Sequence, residues 1–109
     1  MKNNKTKQLK ENQKFAKEIL RKYKVYRFKI QQLEKTTEFI DEEQKALIAK
    51  YKSFVNLIDS ILAELKPDSK KMIQEIFINF TKMKDTPYSR GTYYSKLREA
   101  LADFLEYYK

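Results

Sequence analysis

A chain of 109 residues with one glycine, Gly91, and two prolines, Pro67 and Pro87, has very few places at which it can turn sharply or stop a helix. Sheet hairpins draw on glycine and asparagine for backbone conformations with positive φ, and this composition supplies too little of either. What remains is dominated by Lys, Glu, Leu and Ile, a mixture that favours helices with one apolar face. The expectation is an all-α protein of four helices forming one domain. A long N-terminal antiparallel helical hairpin occupies residues 1–66, and a helix-turn-helix-like pair occupies 67–109.

Residues 5–36 contain neither Gly nor Pro. Leu9, Ala16, Ile19, Tyr23, Tyr26, Ile30 and Leu33 recur there at steps of three and four, with Asn12 the one interruption, and form a coiled-coil-like seam. Phe15, Leu20, Val25 and Phe28 widen the apolar face, so the first helix meets neighbours on more than one side. On the other side Lys7, Lys10, Lys14, Lys17, Arg21 and Lys24 follow the same rhythm and make a basic ridge along about five turns. Residues 1–36 hold 12 Lys and Arg against 3 Asp and Glu, residues 37–88 hold 8 against 9, and residues 89–109 hold 4 against 3. The net charge of +9 therefore belongs to the first helix.

The pattern restarts around Thr36, Thr37 and Asp41. Asp41 followed by Glu42, Glu43 and Gln44 is a helix start, with acids in the first turn and a capping-box partner three residues on. Leu47, Tyr51, Phe54, Ile58, Ile61 and Leu65 continue the rhythm to Pro67, broadened by Ala46, Val55 and Leu62. Lys66-Pro67-Asp68-Ser69 marks the next boundary. A third helix is expected from about Ser69 to Lys82, burying Met72, Ile73, Ile76, Phe77 and Phe80, with Met83 at its edge. The eight residues between Phe80 and Ser89 include Pro87 and leave little room for a helix of their own.

Beyond Pro87, Ser89 is placed to accept a hydrogen bond from the backbone N–H of Gly91 or Thr92 and so to cap a last helix. Tyr94, Leu97, Leu101, Phe104 and Tyr108 share one face of that helix, which predicts their burial. Gly91, Thr92, Ser95 and Lys96 lie opposite, with Arg98 at the edge. Short polar and basic groups presented by a helix seated on a core suit the DNA major groove.

Ser-Arg-Gly-Thr-Tyr-Tyr followed by a basic turn and Ala-Leu, within residues 87–105, resembles the recognition helix of phage late-gene transcription regulators of the ArpU and RinA type. Those proteins are in turn similar to the DNA-binding fourth region of sigma factors. The resemblance implies that Ser89 caps the helix, Arg90 and Lys96 contact the DNA backbone, Thr92 and Ser95 reach base edges, and Tyr94 and Leu97 pack inward.

Several function classes are disfavoured by what the chain lacks. With neither His nor Cys it has no imidazole base, no thiol nucleophile, no disulfide and no thiolate zinc site. A single glycine cannot form a phosphate-cradling loop. The expectation is a non-enzymatic protein without cofactor or metal. No apolar run approaches the roughly 20 residues that cross a bilayer, and the basic N-terminus leads into a charged helix, which points to a cytoplasmic protein.

Together these features predict a small DNA-binding regulator of transcription. Double-stranded DNA is its expected partner, held at phosphates by the Lys7–Lys24 ridge with Arg90, Lys96 and Arg98, and read at bases by Thr92 and Ser95. Two other readings stay open from the residues alone. The Leu9–Leu33 seam also suits a homodimer or a protein partner, and a basic helical surface bearing Tyr93 and Tyr94 also suits RNA or a ribosome-associated role.

Overall fold

The computed structural model describes residues 2–36 and 41–108, with side chains from residue 7 onward except at 36. Four α-helices form it: α1 (Lys2–Thr36), α2 (Glu42–Glu64), α3 (Pro67–Ile73) and α4 (Arg90–Tyr108). α3 runs on into a π-helical turn at Gln74–Ile78, and a single 3-10 turn at Met83–Asp85 precedes α4. Among the described residues there is no strand, and no helix is long and apolar enough to cross a membrane. The all-α, four-helix expectation holds.

α1 and α2 lie antiparallel. Glu34 near the end of α1 pairs with Lys52 of α2 at 2.7 Å, Tyr26 packs on Tyr51 and Phe54, and Tyr23 donates its hydroxyl proton to Asp59. Moving back along α1 thus means moving forward along α2. The joint at Thr37 lies outside the described residues. Asp41 closes the expected capping box: its carboxylate accepts Gln44 N–H at 2.8 Å, and Gln44 Oε1 accepts Asp41 N–H at 3.3 Å.

One core joins all four helices. Leu20 of α1, Ile58 of α2, Met72 and Ile73 of α3, and Leu97, Leu101 and Phe104 of α4 are its most enclosed members. Burying a side chain of that size stabilises by about 1.5–3 kcal/mol. The seam behaves as its spacing predicts: Leu9, Ala16, Ile19 and Tyr23 are buried and Tyr26, Ile30 and Leu33 half-buried. It is filled by partners from the same chain, chiefly α2, the π-turn and α4. α1 is about 52 Å long at 1.5 Å per residue, and the molecule is correspondingly elongated, 56 × 28 × 22 Å.

The structure corrects several local expectations. α3 begins two residues early, with Pro67 at its first position and Lys66 as N-cap; Ser69, expected to open the helix, is buried inside it. Lys66 has no side-chain cap of its own chain segment, and Asp103 of α4 accepts its backbone N–H at 3.3 Å instead. α3 with its π-turn stops at Ile78, well before Lys82. Phe80, expected in the core, has φ of 57° and is 60% exposed. The left-handed residue after a helix reverses the chain, and the reversal throws this ring outward. In α2 the buried position is Ile48, while Leu47 is 40% exposed. Between Phe80 and Ser89 the chain has room for no more than the three-residue 3-10 turn, as the short, proline-bearing segment leads one to expect.

α4 starts as read. Ser89 Oγ accepts Thr92 N–H at 3.3 Å, and the Ser89 carbonyl accepts Tyr93 N–H at 2.8 Å. Its inward face keeps Leu97, Leu101 and Phe104 as predicted and adds Tyr93, Ala100 and Leu105, whereas Tyr94 and Tyr108 are only half-buried. A rhythm of three and four fits either tyrosine, and the neighbouring helices select Tyr93.

Candidate nucleic-acid interface

The outward side of α4 keeps the groups proposed for base contact accessible. Thr92 and Ser95 are exposed, as are Arg90, Gly91 and Arg98. Ser89 donates its hydroxyl proton to Thr92 Oγ1 at 3.0 Å, so the first turn is held in one arrangement while Thr92 retains its own proton to donate. Gly91 lies in the helix without positive φ, and a Cβ there would meet nothing within 4 Å. Glu99 and Glu106 continue the outward line beyond Ser95. Only the N-terminal turns of α4 therefore offer a surface without carboxylates.

The three cations of α4 do not act on one side. At 3.6 residues per turn, Lys96 and Arg98 stand about 160° apart around the helix. Lys96 is half-buried with its ammonium 5.4 Å from the centre of the Tyr88 ring. Arg90 and Arg98 turn towards α1, where they line a groove of about 450 Å³ together with Tyr94 and with Leu9, Lys10 and Gln13 of α1. The Arg90 guanidinium lies 6.0 Å from the centre of the Tyr94 ring. Two surfaces that are far apart in sequence thus meet: Lys10 of the predicted ridge faces the arginines of the last helix.

The ridge itself resolves into two rows. Lys7, Lys14 and Arg21 form an outer row; Lys10, Lys17 and Lys24 form an inner row on the side of α4 and the π-turn. All are exposed except Lys24, which is half-buried. Glu11 and Glu18 stand four residues after Lys7 and Lys14, a spacing that brings opposite charges together on a helix. No acid stands three or four residues from any member of the inner row. Lys24 is engaged: its ammonium donates to the Ile78 carbonyl at 2.8 Å and lies 4.2 Å from the centre of the Phe80 ring. As a phosphate ligand it is therefore weaker than its place in the ridge suggests, because it satisfies a carbonyl left over at the end of the π-turn.

Two surface features escaped the sequence. Arg27 was not part of the ridge, yet it is exposed beside Lys24 and Phe28. Phe80 was assigned to the core and instead borders Lys17 and Lys24. Nothing in the local pattern separates an outward Phe80 from an inward one, since the reversal depends on where α3 ends.

Burial raises the Tyr93 hydroxyl above its ordinary range, with the adjacent Tyr94 adding to the effect. The same cause, followed by the hydrogen bond to Asp59, raises Tyr23. Both stay neutral and structural at neutral pH.

No family model matches the chain, and no solved structure matches it. A Mycoplasma pneumoniae protein named Uncharacterized protein MG284 homolog is 39% identical over 61 residues, which make up 56% of this chain and 50% of that protein. The chain spans about half the length of this curated relative.

Proposed function

We propose that the chain is a small non-enzymatic DNA-binding protein that regulates transcription, using its first helix for phosphate attraction and the opening turns of its last helix for base contact. The observation that carries the reading is the convergence of Lys10 with Arg90 and Arg98 on one groove that no acid lines, with the exposed Ser95 on its flank and Thr92 exposed further round the same opening turns of α4. Phosphates are drawn by clustered cations whose charge is not cancelled nearby, and orientation comes from contacts at two separated elements. Regulation of transcription rests on the likeness of residues 87–105 to phage late-gene regulators.

Duplex binding measured over a range of salt concentrations tests this. If about six phosphates are contacted, the logarithm of affinity falls against the logarithm of salt with a slope of about −5. Neutralising Lys10, Lys14 and Lys17 lowers that slope by roughly two to three. Lys96→Ala with Arg98→Ala lowers it by roughly one, since Lys96 lies on the far flank. A protein that binds no duplex at low salt rules the reading out.

A further inference from the structure

Phe28 and Phe80 are each 60% exposed, more than any other large apolar side chain on the described surface, and both border the same lysine. Lys24 lies over the Phe80 ring and also lines a shallow groove with Phe28 and Arg27. Further back along α1, Gln13 belongs to two grooves at once. One holds Lys17 and Phe80, and the other holds Lys10, Tyr94 and the two arginines of α4. The three grooves therefore join into a trough along one flank of α1, in which rings and cations alternate. No carboxylate lines any of them.

The backbone at Phe80 adds a second observation. A bulky residue with φ of 57° sits where glycine is the unstrained choice. The chain accepts that conformation and in return displays a phenyl ring to water beside a cation. Such outliers persist where the surrounding structure holds them, and they concentrate at sites of function.

Phosphate attraction alone gives no use for exposed phenyl rings. Unpaired nucleic acid does, because every base offers a π-face while its backbone remains charged. A protein partner covering the same rings would have to bring acids to match Lys10, Lys17, Arg27, Arg90 and Arg98, and a second copy of a chain with net charge +9 brings the opposite. We infer that this trough binds a single, unpaired strand of nucleic acid, with bases stacked on Phe80 and Phe28 and phosphates along Lys10, Lys17 and Arg27. From Lys10 to Phe28 the track is about 27 Å long at 1.5 Å per residue, room for a short strand within the range that such grooves hold. The inference rests on the nucleic-acid reading above and adds to its duplex an unpaired strand as a ligand of the α1 flank.

The experiment uses a fluorescein-labelled thymidine oligonucleotide of about 12 nucleotides, a uridine oligonucleotide of equal length and a duplex, followed by anisotropy. Phe28→Ala with Phe80→Ala is expected to weaken binding of the thymidine strand by about 30-fold or more, and that of the duplex by less than about threefold. The tighter of the two single strands tells DNA from RNA. The chain has no Trp, so Phe80→Trp reports from one position, and its emission is expected to be quenched on strand binding. Phe80→Gly separates binding from packing: it is expected to melt no lower than the parent and still to lose single-strand affinity. A lower melting temperature with unchanged affinity overturns the inference. So does a double alanine variant that binds the thymidine strand like the parent while duplex binding persists. Absence of duplex binding at low salt removes the parent reading, and absence of single-strand binding at low salt overturns the inference whatever the duplex does.

Discussion

The flank of α1 and the outward face of α4 are both polar and accessible, but they differ in charge and in shape. Along α1 the inner row of lysines has no acid three or four residues away and is joined by Arg27, Arg90 and Arg98. The outward face of α4 runs from the small hydroxyls of Thr92 and Ser95 to Glu99 and Glu106. A surface of the first kind attracts any polyanion and tells few apart. A surface of the second kind attracts weakly and offers hydrogen bonds that depend on what it meets. Affinity is thus expected to reside in α1 and discrimination in the first turns of α4, with the core that joins them setting the angle between the two.

The largest effect is expected where that joint is cut. Leu97 is fully enclosed between α4 and the other helices, and Leu97→Ala should cost about 2–5 kcal/mol, seen as a fall of the thermal midpoint by roughly 10 °C or more. A loss under about 1 kcal/mol would mean that α4 is not anchored as described. Thr92→Ala with Ser95→Ala bears on the division of labour directly. Discrimination between duplex sequences should shrink by about 1–3 kcal/mol while the salt slope stays the same. A changed slope with intact discrimination would reverse the roles of α1 and α4.

Smaller effects sharpen the picture. Tyr23→Phe removes the hydrogen bond to Asp59 that ties α1 to α2, at a cost of about 1 kcal/mol at neutral pH. Burial and Asp59 raise the folded Tyr23 above its unfolded value of 10.0, so its contribution is complete below pH 10 and is lost as pH rises through the folded value. In urea titrations the gap between parent and Tyr23→Phe should close above that pH; a gap that widens contradicts the assignment. Gly91→Ala should stabilise α4 by about 0.5 kcal/mol, because the added methyl meets open space. If duplex affinity falls although stability rises, the backbone at Gly91 approaches the ligand closely.

Much of this was legible in the residues. Scarce glycine and proline required helices. The seam from Leu9 to Leu33, the box at Asp41 and the cap at Ser89 all rest on local spacing or on a hydrogen bond spanning three residues, which sequence order fixes directly. The ridge was equally visible, since residues three and four apart on a helix are neighbours wherever the helix goes.

What the sequence left undecided depends on contacts between distant segments. Whether Tyr93 or Tyr94 turns inward is a choice between adjacent positions that helical periodicity tolerates, and packing against α1 and α3 chose Tyr93. Phe80 continued the apolar pattern of α3, but Lys24 captures the Ile78 carbonyl, the helix ends there and the ring turns out. The meeting of Lys10 with Arg90 and Arg98 brings together residues some eighty positions apart, which no local rule specifies. Periodicity determines which side of a helix is apolar, while only the packed core determines which charged sides come to lie next to one another.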